Sequence, residues 1–467
     1  MSLIIPANSL SGGYAVDNSC RFNDGSSDYL NRTLGTATNK KKFTISVWFK
    51  KCNNSNGQYL ASAGTDVSSV IDDLSIHSSQ ALNFSGYESG TTYKLRTNAL
   101  LRDTSAWYHA VVNFDSTQGT DTNRLKMYIN GEQITSFVDS TYPSLNLEVQ
   151  FNKNVEHMVG RNLGGSLYMD GYMAEFCFID GTALDATSFG EFDEDSGIWK
   201  PISVSGLTFG TNGFYLDFED SAALGDDVSG NGNDFTVNNL TAIDQVSDSP
   251  TLNFATMNPL LKFSAGSVTY SEGNLSGSAG AFDLATSSTL GVSKGKYYWE
   301  LKWTADGGYD RPGIVPEDQN PSLSPDNDGI AWNRLSTTAG MTMLNSAVSG
   351  SWGSAFSAGD IINFALDCDN KALYIGQNGT WRNSGDPTSG ASKTGAVDYS
   401  GTSLDGKYLF PSFGKGGAGT STWQFNFGNP PFTGTDQSDG NSRGSFEYAP
   451  PSGYLSLCTA NLSEVLG

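Results

Sequence analysis

Short runs in which every second residue is apolar, separated by clusters of Gly, Asn, Asp and Ser, recur along this chain. A period of two fits half-buried β-strands and little else. Ile45, Val47 and Phe49 fall on one face of Thr44 to Lys50; Tyr108, Ala110, Val112 and Phe114 share another; Ala174, Phe176 and Phe178 share a third. Leu125 to Ile129 ends at Asn130-Gly131, the pair a two-residue type I′ hairpin prefers because both positions need positive φ. After residue 290 the pattern resumes. Trp299, Leu301 and Trp303 lie on one face, with Glu300 and Lys302 on the other. Ile361 to Asp367 and Ala372 to Ile375 are two strands joined by the turn Cys368-Asp369-Asn370-Lys371, and Asn378-Gly379 ends the second. The fold class expected is all-β, with helices scarce.

Composition agrees and removes several functions. Only 16% of the 467 residues are charged, while 54 are glycine and 12% aromatic, as in turn-rich β proteins of two or more domains. The net charge of −22 repels a phosphate backbone and an anionic membrane surface, so nucleic acid is not an expected partner. Five cysteines, at 20, 52, 177, 368 and 458, form no metal-finger spacing, and their odd number leaves them expected as free thiols. The start, MSLIIPANSL, has three apolar residues before Pro6 and no basic region, so no secretory signal is expected. No stretch approaches the roughly 18 apolar residues of a membrane span, and no membrane insertion is expected.

One polar loop stands out. Phe214 to Phe218 reads as a strand, and Asp226, Asp227, Asn231, Asn233 and Asp234 then fall within nine residues. So many oxygens suit a hard cation, and Asp226, Asp227, Asn231 and Asp234 are candidate calcium ligands. The same residues suit Asx turns that satisfy their own backbone.

The loop, as Asp227-Val228-Ser229-Gly230-Asn231-Gly232-Asn233 between two strands, resembles the opening motif of laminin-G-like domains of the concanavalin A-like class. Trp107-Tyr108-His109 and Tyr128-Ile129-Asn130-Gly131 resemble further elements of that sandwich. Because the motif comes late, the resemblance implies either a strand that closes the first domain from its C-terminal side, which is the reading preferred, or the remnant of a second copy. Farther on, GKYYWE from Gly295, GIAW from Gly329, GDIINFALDCDNKALYIGQNG from Gly359, YLFPSFG from Tyr408 and FNFG from Phe425 resemble, in order, the core strands of a SPRY domain. The division implied is a laminin-G-like sandwich over 1–240, a connector over 241–263 where alternation lapses and Pro250 and Pro259 occur, and a SPRY-like sandwich over 264–467.

That pairing, with the start MSLIIPANS, the connector NFATMNPL and the tail YAPPSGYLSLCTANL, resembles virion proteins of marine tailed bacteriophages. The resemblance implies a particle-surface protein on tail or capsid exterior, made in the host cytoplasm. It implies a homo-oligomer, for instance a trimer, that meets other virion proteins and a host surface glycan or receptor. Trp332, Trp352 and Trp381 are candidate flat platforms for sugar rings, weighed against the core positions tryptophans usually take.

Catalysis finds little footing. Glu191, Asp193 and Asp195 alternate and so share a strand face, faintly like a laminarinase-type E-x-D pattern, but the third carboxylate is an Asp where that family has Glu. A solvated acidic turn explains them as well. His109 has no nucleophile beside it in sequence and is expected to be structural. The function expected is non-enzymatic attachment. A purely architectural decoration or head-fibre role, and a glycan depolymerase, are the alternatives.

Overall fold

The computed structural model describes residues 13–54, 56–88, 91–261, 268–280, 284–320, 324–335, 338–353, 355–417 and 419–466. Its chain is nearly all-β and divides into two compact units, Ser9–Leu252 and one that holds Asn253–Gly467.

In the first unit two antiparallel sheets pack face to face. One runs in the order Glu132–Gln133, Leu125–Ile129, Tyr108–Asp115, Lys42–Lys51, Gly171–Asp180, Ser19–Phe22 and Gln245–Val246. The other runs Phe137–Thr141, Thr91–Leu100, Ala81–Glu88, Val70–Ile76, Gln58–Asp66, Glu156–Val159, Tyr29–Thr33 and Thr236–Asn238. Ile45, Val47, Phe49, Ala110, Val112 and Phe114 from the first sheet meet Leu74, Leu82, Phe84 and Leu95 from the second in one buried core. The alternation read from sequence is therefore the inward face of each strand. Asn130 and Gly131 take φ of 48° and 82°, as the hairpin requires. Phe214–Leu216 pairs with Gly171–Asp180 and Thr236–Asn238 with Tyr29–Thr33, so the late strands do complete this sandwich.

One strand departs from its expected phase. The register between Gly171–Asp180 and Lys42–Lys51 shifts between Ala174 and Cys177, where Glu175 has a φ of 51°. A bulge adds a residue and turns what precedes it to the other face. Phe176 and Phe178 enter the main core, but Ala174 joins Cys177, Trp48, Val111, Phe189 and Trp199 in a second cluster on the sheet's outer side.

The stretch expected as a connector, 241–263, is divided between the units, and residues 262–263 lie outside the described set. Thr241 and Asp244 form a capping box, Gln245–Val246 pairs with Ser19–Phe22, and Asp248 takes a buried ion pair from Lys50 at 2.8 Å and a hydrogen bond from the Trp107 indole at 3.0 Å. Phe254, Ala255 and Met257 are buried in the second unit, where the Ala255 N–H donates to the Leu457 carbonyl at 2.9 Å. Lapsed alternation here reflects attachment through side chains and single bridges rather than a ladder.

In the second unit one sheet runs Val268–Ser271, Ser276–Ala279, Ser421–Asn426, Lys296–Ala305, Ile361–Asp367, Ala372–Gln377 and Thr380–Trp381. Its partner runs Leu284–Ser287, Leu409–Lys415, Asp310–Pro316, Ile330–Leu335, Thr338–Met343 and Ser346–Ala347. Trp299, Leu301, Trp303, Phe364, Phe413 and Trp423 fill the core between them. On the outer side of the first of these sheets, Tyr298, Ala365 and Tyr374 are buried against Phe446 and Tyr454 of the C-terminal stretch. All five cysteines are buried free thiols, and among the described residues no helix is long and apolar enough to cross a membrane.

Candidate functional site

The loop after Phe214–Leu216 spends its oxygens on itself. Asp227 Oδ1 accepts from the N–H of Tyr215 and of Ser229, both at 2.9 Å, and its Oδ2 accepts from the Asn233 N–H at 2.8 Å. Asp234 Oδ1 accepts from the Asp227 N–H at 3.1 Å. Asn231 Nδ2 donates to the carbonyls of Gly210 and Gly213 at 2.7 and 2.9 Å, and Asn233 Nδ2 donates to those of Thr211 and Gly213. Asp226 is exposed. Ca²⁺ needs six to eight converging oxygens, and here the carboxylates face N–H groups while the carbonyls face amide N–H donors. The residues do not fit the ion, and among the described residues no three His, Cys, Asp or Glu side chains are placed to hold a metal.

Glu191, Asp193 and Asp195 sit on and beside the hairpin of Gly190–Phe192 with Trp199–Pro201. Asp193 accepts from the N–H and hydroxyl of Ser196, each at 2.9 Å, and from Lys200 Nζ at 3.1 Å. The Ser196 N–H first, then its hydroxyl and Lys200, hold Asp193 well below the usual carboxylate range. That suits a fixed anion, not a proton donor. His109 lies in the outer cluster, with Ser46 Oγ 2.8 Å from its Nε2 and the Trp199 indole donating to its Nδ1 at 3.0 Å. Burial pushes its pKa down to about 3. It is a neutral clamp for the hairpin that carries Trp199.

The three tryptophans are not an open platform. Trp332 is 0% exposed, its ring 4.2 Å from Phe356, and Trp352 is 4% exposed with its indole donating to the Val348 carbonyl at 2.9 Å. Both expectations are corrected, because a ring enclosed in the core has no face for a sugar. Trp381 is half-buried and packs edge-on against Tyr298 and Tyr374, each 6.5 Å away.

The polar surface that the sandwich does build lies on the outer side of the sheet containing Val70–Ile76. Register places Thr141, Lys94, Ser85, Asp73, Ser62, Met158, Asn31 and Thr236 directly opposite one another in succession. With strands about 4.8 Å apart, this row crosses the sheet over about 34 Å. A neighbouring row holds Arg96, Asn83, Ser75 and Tyr59. Asp73 sits buried at the middle of the row with Ser62 and Met158, and Ser75 Oγ at 2.6 Å, Asn83 Nδ2 at 2.9 Å and Ser85 Oγ at 2.7 Å all donate to it. Burial raises its pKa and these three donors oppose the rise. Asn31 donates to Glu156 at 3.0 Å and accepts from Asn238 at 2.8 Å. The Arg161 guanidinium lies 3.6 Å over the Tyr29 ring, and Tyr168 stands 6.3 Å from it. Lys94, at 3.0 Å, and Arg96 both pair with Asp139, which neutralises part of the cationic end.

Chemically this face is a field of hydroxyls, amides and paired charges with an aromatic edge. Its part-exposed sides can hydrogen-bond a polar ligand, and at its edge His77 has Ser79 Oγ 2.9 Å from its Nδ1 and Arg96 2.9 Å from its Nε2. Sequence reasoning passed over these residues. Their only signal was the polar phase of the alternation, which the other sheet also shows at Ser46, Lys50 and His109, where it is buried.

Residues 24–187 match the family model of the concanavalin A-like lectin/glucanases superfamily. No curated protein matches the chain. Similar solved structures include the SPRY domain of human HERC1, at 13% identity over 36% of this chain and 96% of that one with a TM-score of 0.27. A heptameric SAP-like pentraxin from Limulus polyphemus is similar at 17% identity over 36% of this chain and 78% of that one, with a TM-score of 0.28. Domains LG4-5 of the mouse laminin alpha1 chain are similar at 11% identity over 91% of this chain and 93% of that one, with a TM-score of 0.29.

Proposed function

We propose that the protein is a non-enzymatic attachment protein of a virus particle that binds host surface glycan through the part-exposed and exposed residues Lys94, Ser85, Asn31 and Thr236 of this outer face. The single observation that carries this is the row from Lys94 to Thr236, in which Asp73, Ser62 and Met158 are buried in the middle while Lys94 and Ser85 on one side and Asn31 and Thr236 on the other reach the surface, with Tyr29 and Tyr168 at the edge. Sugars need this combination of fixed hydrogen-bonding groups and apolar ring faces. The match of residues 24–187 to a lectin and glucanase superfamily supports a binding role for the same unit. Asp193 is held by Ser196 and Lys200, and His109 is buried between Ser46 and Trp199, which supports binding without turnover.

The resemblance of the chain's start, connector and tail to phage virion proteins supports a place on the particle surface, with the SPRY-like unit meeting other virion proteins and a homo-oligomer multiplying weak sugar contacts. Glycan-array binding by the intact protein tests the reading. Binding is expected to fall at least tenfold in Asn31→Ala and Ser85→Ala, with melting unchanged. Glycan binding untouched by both variants would remove the face from the account. Stoichiometric binding to particles without any glycan binding would leave the architectural role, and release of reducing ends from a host polysaccharide would establish a depolymerase.

A further inference from the structure

The fold positions Arg161 with care and gives it no acid. Elsewhere in the first unit Arg21 has Asp244 at 3.7 Å, Arg96 pairs with Asp139, and Arg32 donates to the Asp234 carbonyl and Asn233 Oδ1 at 2.6 and 2.9 Å. Arg124 donates to the carbonyls of Gln118, Pro143 and Gly119. The Arg161 guanidinium has no hydrogen-bond or ion-pair partner among the described residues and rests 3.6 Å over the Tyr29 ring. Arg102 lacks a partner too, but it is exposed and lies over no ring. In a chain with 49 acidic residues against 27 basic ones, a part-buried cation without a carboxylate is a site kept open for an anion from outside.

The backbone that carries it is fixed. Arg161 bridges Tyr168 across a turn in which the Asn162 N–H donates to the Leu167 carbonyl at 3.1 Å, the Ser166 N–H to Asn162 Oδ1 at 2.9 Å and the Met169 N–H to the Gly160 carbonyl at 2.7 Å. Ser62 Oγ donates to the Arg161 carbonyl at 3.1 Å. Tyr29 comes from the adjoining strand, where Val159 pairs with Leu30. Nε of Arg161 is buried, and the terminal nitrogens keep their N–H groups at the surface.

We propose that Arg161, stacked on Tyr29, is the subsite for the carboxylate of an acidic sugar, so that the glycan bound is a carboxylated polysaccharide such as one containing uronic acid. This rests on the glycan-attachment reading above and names the class of sugar it takes. A guanidinium held flat on a ring keeps its planar fork of donors in one orientation, which matches the two oxygens of a carboxylate. Tyr168, 6.3 Å from Tyr29 and tilted by 57°, makes with it an apolar corner for the sugar ring.

Tyr29 and Asn31 alternate along one strand on the outer side, with Leu30 between them in the core. They are about 7 Å apart, so a glycan held at Asn31 reaches Arg161 with a neighbouring unit. Glu156, farther back on the strand that leads to Arg161, is held by Asn31 at 3.0 Å. The net charge of −22 opposes a dense polyanion at long range, which favours a glycan whose carboxylates are spaced along the chain.

Binding of the intact protein to an array of carboxylated glycans and their carboxyl-reduced, neutral counterparts tests the subsite. The acidic glycans that bind are expected to do so at least tenfold more tightly than their reduced forms, a comparison that needs no variant to fold. Arg161→Gln is expected to weaken binding of the acidic forms at least tenfold, to leave the residual binding of the neutral forms where it was, and to leave melting unchanged. Equal binding of acidic and reduced forms, acidic binding untouched by Arg161→Gln, or a preference for sulfated over carboxylated glycans overturns the subsite while the attachment reading stands. Absence of binding to any glycan overturns both.

Discussion

Each unit buries one glutamate on the outer side of a sheet, and the two are held in different ways. Glu300, in the second unit, is 0% exposed and receives four donors: the Tyr298 hydroxyl at 2.9 Å, Asn426 Nδ2 at 3.0 Å, and the N–H groups of Glu447 and Tyr448 at 3.0 and 2.8 Å. Glu175, in the first, receives only two phenols and sits among acids. Burial raises the pKa of both. A carboxylate that accepts two backbone N–H groups is a fixed clamp, since those donors have no other partner when buried. One held by phenols that water could equally well satisfy is free to follow pH. The same residue type at the same kind of site is thus held partly by backbone N–H groups in one unit and by side-chain hydroxyls alone in the other.

The largest expected effect breaks the clamp. Glu300→Ala strands four donors, two of them buried and two part-buried, and should lower the stability of the second unit by about 3–5 kcal/mol, read as a lower denaturant midpoint for that unit's transition. A loss under about 1 kcal/mol would mean that water replaces the carboxylate and that the two glutamates do not differ in kind.

Next comes the polar loop of the first unit. Asp227→Ala removes the acceptor of three backbone N–H groups and should cost about 1–3 kcal/mol. Melting curves in EDTA and in millimolar Ca²⁺ should coincide for both the natural protein and the variant. A calcium-dependent rise in Tm that Asp227→Ala abolishes would restore the metal reading.

A smaller, pH-dependent effect belongs to Glu175→Gln, which imitates the protonated carboxyl. The natural protein loses stability as pH rises from 4.5 through about 7, so the variant should match it at pH 4.5 and exceed it at pH 8 by about 1–2 kcal/mol. Equal stability of the two at pH 8 would place Glu175 beside Glu300 as a second fixed clamp.

The smallest stability effect is expected on the open face, where Asn31→Ala and Lys94→Ala should change folding by no more than about 0.5 kcal/mol. A cost above about 2 kcal/mol would show that this face is closed over like the outer side of the second unit's sheet.

Much of the architecture was legible because strand alternation is a local property. Ile45, Val47 and Phe49, or Trp299, Leu301 and Trp303, repeat every second residue whatever lies across from them, and each set is buried. Asn130-Gly131 and Asn378-Gly379 were readable for a similar reason, since positive φ is a demand of the turn itself, and both pairs meet it. The candidate site was not legible in this way. Asp73, Asn83 and Ser85 are spread over two strands, and only register makes them neighbours.

Residue order by itself determined the strands, their inward faces, the tight hairpin turns and an acidic chain without paired cysteines. Tertiary structure decided which polar faces stay open. It covered Ser46 and His109 with a returning segment, left Ser85 and Asn31 part-exposed at either side of a buried Asp73, and drew Trp332 and Trp352 inside. It also decided that the oxygens of Asp227 and Asp234 meet N–H groups, and that a bulge at Glu175 sends Ala174 to the opposite side. The reason is physical: alternation states that a strand has two faces, but burial of either depends on the free energy of packing chain segments that are distant in sequence.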